Sequence, residues 1–131
     1  MCQEHDWVGE PVAVPASPLW HQFRDWGHRV SAHAGMDLAT IYRLPGLCPE
    51  AGLATPQLRY DAPISADPAW VGYDYAADLL RSILPVLMDY GIATAGDVDV
   101  DTFAARLRAE VGERGGILRG VPAIGAWARK P

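Results

Sequence analysis

The stretch from Val121 to Ala128, Val-Pro-Ala-Ile-Gly-Ala-Trp-Ala, constrains the chain most. Nearly every side chain in it is apolar or absent. A strand with one wet face alternates, so a continuous apolar run predicts a strand covered on both faces. Gly125 leaves room for something to approach the backbone closely. Arg129 and Lys130 return the chain to water, and Pro131 cannot extend a ladder. Such a strand needs a sheet to enter and helices to cover that sheet.

The remaining composition permits this. Of 131 residues, 50% are hydrophobic and 21% charged, which predicts a single globular domain over residues 1–131. The net charge of −5 argues against nucleic acid as a partner. Cys2 and Cys48 form no CxxC or CxxH pattern, so reduced thiols and a cytoplasmic location are expected. No apolar run of about 18 residues is present, and no membrane partner is expected. Met1 to Asp6 is neither basic nor apolar, unlike a secretory signal.

Helices and strands alternate along the chain. Val12 to Val14, between Pro11 and Pro15, reads as an extended connector. Ser17 is a natural N-cap with Pro18 behind it. Leu19, Phe23, Trp26 and Val30 then mark an amphipathic helix to about His33, ended by Gly35. Asp37 caps a short helix that Pro45 should stop, because the residue before a proline avoids helical geometry. A second short helix runs from Pro45 to Ala51, with Gly52 as its left-handed cap. Residues 55 to 64 alternate as one strand. Asp67-Pro68 opens a long helix to Tyr90, whose stripe includes Leu80, Leu84 and Leu87 and which Pro85 should kink. Phe103, Leu107 and Val111 define a further helix before Gly115-Gly116. Strand, helices, strand, helices, strand is an α/β or α+β order with a small sheet of three strands.

Four phrases in this order resemble the C-terminal half of a class I S-adenosylmethionine-dependent methyltransferase, the Rossmann-like kind acting on small molecules. Cys2-Gln3-Glu4-His5-Asp6 is similar to the end of that family's fifth strand. Gly35-Met36-Asp37 with Arg43-Leu44-Pro45 resembles the helix after it. Glu50-Ala51-Gly52-Leu53 resembles the turn into the sixth strand. Ile124 to Pro131 resembles the seventh, antiparallel strand, which slots between the fifth and sixth. The resemblance implies an α/β, partial Rossmann-like methyltransferase fold made of the last three strands and their covering helices. It implies S-adenosylmethionine as cofactor and methyl transfer to a small-molecule acceptor.

The departure from the family is as informative. Its cofactor loop is a Gly-x-Gly turn after the first strand, where only glycine lets the backbone come close to the ligand. None of the 13 glycines here forms a Gly-x-Gly pair, so no cofactor-binding residues are identifiable. The chain reads as the substrate-side part of a methyltransferase-like domain, inactive by itself without a cofactor-binding half. Met1 stands where the pattern accepts valine or leucine, and some bacterial genes start at codons that otherwise encode valine. The functional protein is therefore expected to begin upstream of Met1. A cofactor-binding half or a second copy of the chain is the expected macromolecular partner. The competing reading is a non-catalytic small-ligand-binding or interaction module that reuses the half-fold.

Ligands in open α/β sheets bind beyond the carboxyl ends of the strands. That rule places Glu4, His5, Asp6 and Trp7 at a crevice. His5 is the candidate base, because its ordinary pKa lies near neutrality, and Asp6 is the second catalytic candidate. Glu4 and Trp7, with the aromatics Trp20, Tyr73 and Tyr75, are the candidate substrate-binding residues. The plainer alternatives are a solvated strand end and ordinary core packing. His21 and His28 share a helix face but have no further ligand at a matching spacing, so no metal is expected. Asp97, Asp99 and Asp101 alternate as in a calcium loop but lack its glycine and closing glutamate, and they read as helix-start caps.

Overall fold

The computed structural model describes residues 1–130 and is a mixed α/β structure. In chain order its elements are β1 (Cys2–His5), β2 (Val12–Val14), α1 (Pro18–His33), α2 (Thr40–Glu50), β3 (Gln57–Asp61) and β4 (Ile64–Ser65). They continue with α3 (Gly72–Asp89), the short α4 (Ala95–Val98), α5 (Val100–Gly112), β5 (Ile117–Arg119) and β6 (Ala123–Trp127). These elements divide between two compact units, each assembled from separate stretches of chain. The sheet unit takes Met1–Glu10, Asp37–Pro63 and the chain from Val121 onward; the helical unit takes Pro11–Met36 and Ile64–Gly120.

In the sheet unit β6 lies between β1 and β3 and is antiparallel to both. It follows that β1 and β3 run in the same direction. Glu4, Ile124 and Tyr60 are opposite one another on one face; His5, Ala123 and Asp61 share the other. Ile41 of α2 packs against Ile124 and Ala126, with Leu44 beside them. The face carrying Glu4, Ile124 and Tyr60 is therefore the one that α2 covers. On the opposite face Ala123 and Gly125 are half-buried, and Trp127 is exposed. This corrects the expectation of a last strand covered on both faces. Its outward positions carry alanine and glycine, which are too small and too nearly neutral to break an apolar run. Every residue of β1 and β3 is exposed.

One helix, α2, replaces the two short ones expected around Pro45. Pro45 and Pro49 both lie inside it. Pro45 removes a hydrogen bond to the carbonyl of Ile41, a defect of about 3 kcal/mol in a helix interior. Continuing the helix keeps Ile41 and Leu44 on the same side, against β6, and that burial works against the defect. The helix stops at Ala51. Gly52 follows at φ 76°, a conformation cheap only for glycine. The N–H of Leu53 then reaches the Cys48 carbonyl at 2.8 Å, and the N–H of Gly52 reaches that of Pro49 at 3.0 Å, which satisfies the last turn.

The helical unit has its own core. The Ser17 hydroxyl accepts the N–H of Trp20 at 3.1 Å and starts α1 as its N-cap. Phe23, Tyr73, Leu80, Leu87, Phe103, Leu107 and Leu118 are almost completely buried. The long helix begins at Gly72 rather than Pro68. The Asp67 carboxylate accepts the N–H of Ala69 and closes a turn there, so it does not cap the helix. Thr94 and Asp97 form a reciprocal capping box at α4, as the helix-start reading of the aspartates expects.

A second sheet, β2–β5–β4, is antiparallel throughout and lies in this unit. It corrects two expectations. Val12 to Val14 is a strand paired with β5, although prolines flank it. The strand expected over residues 55 to 64 is divided, with β3 in one sheet and β4 in the other. Pro63 lies at the division, and it has no N–H to give a ladder. Pro122 similarly lies between β5 and β6, so the sheets contain six short strands where three were expected.

Candidate functional site

Asp6 is the first residue after β1. Its N–H donates to the Pro122 carbonyl at 2.8 Å, which carries the β1–β6 pairing one step further. Its carboxylate then turns the chain. Oδ1 accepts the N–H groups of Val8 at 3.0 Å and Gly9 at 3.3 Å, the local pattern that aspartate offers at turns. A Cβ on Gly9 would stand 3.2 Å from Oδ2, so a glycine suits this tight wrap. Oδ2 accepts the Tyr60 hydroxyl at 3.2 Å.

Asp6 is only 6% exposed. Burial alone would raise its pKa. Hydrogen bonds from Tyr42, Val8, Gly9 and Tyr60 outweigh burial and hold the carboxyl below its ordinary 3.8. The partner responds oppositely. Lost hydration, the hydrogen bond to Asp6 and the negative charge of Asp6 push the Tyr42 phenol up to about 12. At neutral pH Asp6 is a carboxylate, and the Tyr42 phenol is neutral.

The location follows from the topology. β1 and β3 run in the same direction, Asp6 lies just past the end of β1, and Tyr60 is one residue from the end of β3. Tyr42 comes from the first turn of α2. The cluster therefore lies at the carboxyl ends of the two like-directed strands.

Of the residues singled out in the sequence, Asp6 is the one at the centre of this cluster. Glu4 and His5 are both exposed, and their positions on β1 put them on opposite faces of the sheet. Trp7 is half-buried. Trp20, Tyr73 and Tyr75 belong to the helical unit. Trp20 stacks on Phe23 with ring centroids 4.7 Å apart, and its indole N–H is buried with no hydrogen-bond partner among the described residues. Tyr73 is fully buried, meets Trp70 edge-on at 5.7 Å and has the Arg108 guanidinium 5.2 Å from its ring centre. Tyr75 is exposed. Tyr42 and Tyr60 went unnoticed in the sequence. The available signal was the ionisable residue at a strand end, which must find donors if it is buried.

The helical unit holds an open cleft of 370 Å³ between Leu19, Gln22, Trp26 and Arg29 of α1 and Ile92, Ala93 and Asp97. Its lining mixes apolar side chains with the polar Gln22, the cation Arg29 and the anion Asp97. Among the described residues no group of three or more His, Cys, Asp or Glu side chains could hold a metal. No helix there is long and apolar enough to cross a membrane.

The residues present do not fit S-adenosylmethionine. Two strands lead into long helices, β2 into α1 through Pro15-Ala16-Ser17 and β4 into α3 through residues 66–71, and neither link contains a glycine. The first turn of α1 is already satisfied by the Ser17 hydroxyl and by Glu110, whose Oε1 accepts the N–H of Leu19 at 3.3 Å. No backbone cradle is left there for a ligand carboxylate. No protein-family model, curated protein or solved structure matches the chain.

Proposed function

We propose that this chain carries the substrate-side part of a methyltransferase-like domain acting on a small molecule, with S-adenosylmethionine held by a cofactor-binding half outside residues 1–131. The observation that supports the reading is the strand order of the sheet unit. β6 lies between β1 and β3 and is antiparallel to both, the arrangement expected of the last three strands of the resembled fold. α2 joins the two like-directed strands in sequence and covers one face. The Asp6 cluster is then the acceptor-side end of the crevice. His5 remains the candidate base of this reading, and Asp6 organises the strand exit beside it.

Calorimetric titration tests the division of labour. Residues 1–131 alone should give no saturable heat with S-adenosylmethionine, because the chain lacks the glycine turn. The coding sequence read in frame upstream should supply Gly-x-Gly after a strand, and the longer protein should bind the cofactor. Micromolar binding by residues 1–131 alone contradicts the proposal. So does a longer protein that does not bind.

A second reading, a non-catalytic small-ligand module, draws support from the helical unit. That unit has a closed core of its own and a 370 Å³ cleft, a volume within the range of small-molecule sites. An upstream sequence with no cofactor loop favours it.

A further inference from the structure

β3 pairs with β6 on one side, and among the described residues no strand lies beside it on the other. All five of its residues, Gln57 to Asp61, are exposed. Leu58 and Tyr60 share the face that α2 covers, yet they are 47% and 49% exposed. Arg59 and Asp61 stand on the opposite face. They pair with each other at 2.9 Å, with both side chains mostly in water. An open edge that carries exposed apolar side chains is a template for a further strand. The order of charges along this edge selects which strand.

We propose that the outer edge of β3 pairs antiparallel with the same edge of a second copy of this chain, about a two-fold axis at Tyr60, and joins two three-stranded sheets into one of six strands. A two-fold axis normal to a sheet sets one residue opposite its own copy, and directly opposed residues share a face. Centred on Tyr60, the register sets Arg59 opposite Asp61 of the second copy and Asp61 opposite its Arg59. Leu58 then falls opposite Ala62. Opposite charges directly across a strand pair stabilise it, and like charges destabilise it. Centring on Arg59 would oppose two guanidiniums. Centring on Leu58 would set Arg59 opposite Gln57 and Asp61 opposite Thr55, with no charge pair. The β1 edge offers nothing equivalent. Its Glu4 and His5 are adjacent, hence on opposite faces, and no two-fold register opposes them. Pro63 has no N–H and falls opposite Gln57, so the ladder spans residues 58–62. An interface of this size is at the weak end for protein pairs, so it forms as concentration rises. The pairing uses up the β3 edge of both copies and closes at two. It does not rest on methyl transfer.

Sedimentation equilibrium of residues 1–131 from about 10 μM to about 1 mM, a span that brackets a weak pairing, tests the proposal. The mean mass should rise from 14.2 kDa toward twice that value. Over the same span the backbone amide signals of Gln57 to Asp61 should move in NMR spectra, while those of β1 stay in place. Arg59→Asp sets carboxylate against carboxylate in this register, and Asp61→Arg sets guanidinium against guanidinium. Each variant should self-associate at least about tenfold more weakly than the unchanged chain, as expected when like charges are juxtaposed. Mixed in equal amounts, the two variants restore both charge pairs and should associate with each other about as tightly as the unchanged chain does with itself. If either variant fails to fold, the amide signals of the unchanged chain still decide. A mass that stays at 14.2 kDa across the span overturns the proposal. So do amide shifts centred outside β3, single variants that associate like the unchanged chain, or a mixture of folded variants that stays monomeric.

Discussion

The two units bury very different amounts of themselves. In the helical unit Trp20, Phe23, Trp26, Tyr73 and Phe103 are each at most 5% exposed, and aliphatic side chains from α3, α5 and β5 close around them. In the sheet unit the apolar core is Ile41, Ile124 and Ala126, with Leu44 packed against it. Leu58, Tyr60 and Trp127 are exposed there, and among the described residues β1 and β3 each pair on one side only. Apolar burial is the main favourable contribution to folding. The comparison therefore says that the helical unit holds itself together, whereas the sheet unit relies on a few side chains and on the Asp6 hydrogen bonds. A sheet with open edges and one covered face is also the kind that accepts further strands.

Core truncation breaks the comparison most strongly. Phe103→Ala in the helical unit should cost about 3–5 kcal/mol, and Ile124→Ala in the sheet unit about 2 kcal/mol, the low end for such a deletion, because its surroundings are thin. Chemical denaturation monitored by circular dichroism checks both. Equal losses would mean that the sheet unit is packed as densely as its neighbour.

The Asp6 cluster comes next. Asp6→Ala leaves the N–H groups of Val8 and Gly9 without their acceptor and should cost about 1–3 kcal/mol. The pH dependence is two-sided. The folded pKa of Asp6 lies below 3.8, so its contribution is complete above 3.8 and is lost as the pH falls through the folded value. Tyr42 is raised from 10.0 to about 12, so its contribution is complete below 10.0 and is lost as the pH rises toward 12. Melting curves across pH should show an acid step that disappears in Asp6→Asn and an alkaline step that disappears in Tyr42→Phe. Persistence of both steps in both variants would remove the cluster from the account.

The smallest effect belongs to a cap. Thr94→Ala breaks the box with Asp97 and should cost about 1 kcal/mol, read as a shift in the denaturation midpoint with unchanged slope. A loss as large as that of Phe103→Ala would show that α4 is more than a local turn.

How much of this was legible in the sequence depended on whether the cause was local. Ser17-Pro18 announced α1, Gly52 announced the end of α2, and the stripe through Leu80 and Leu87 announced a core helix, because caps and periodicity act over a few residues. The continuity of α2 through Pro45 was not legible, because it depends on where Ile41 and Leu44 can pack. Val12 to Val14 gave no sign of being a strand, because its partner Ile117–Arg119 is far away in the chain. Asp6 was singled out by its place at a strand end, but one of its partners, Tyr60, lies 54 positions on. Trp20 and Tyr73 were candidates by residue type, and the structure places them among the core aromatics of the helical unit.

Amide hydrogen exchange on residues 1–131 tests the contrast between the units most directly. The buried turns of α3 and α5, at Leu80 and Leu107, should exchange only through the largest opening of the helical unit. The amides of β1 and β3 should exchange much faster, through local opening of a sheet whose strands are exposed along their whole length, with β6 between the two limits. That ordering is the predicted result. Protection in β1 and β3 equal to that at Leu80 and Leu107 would contradict the account.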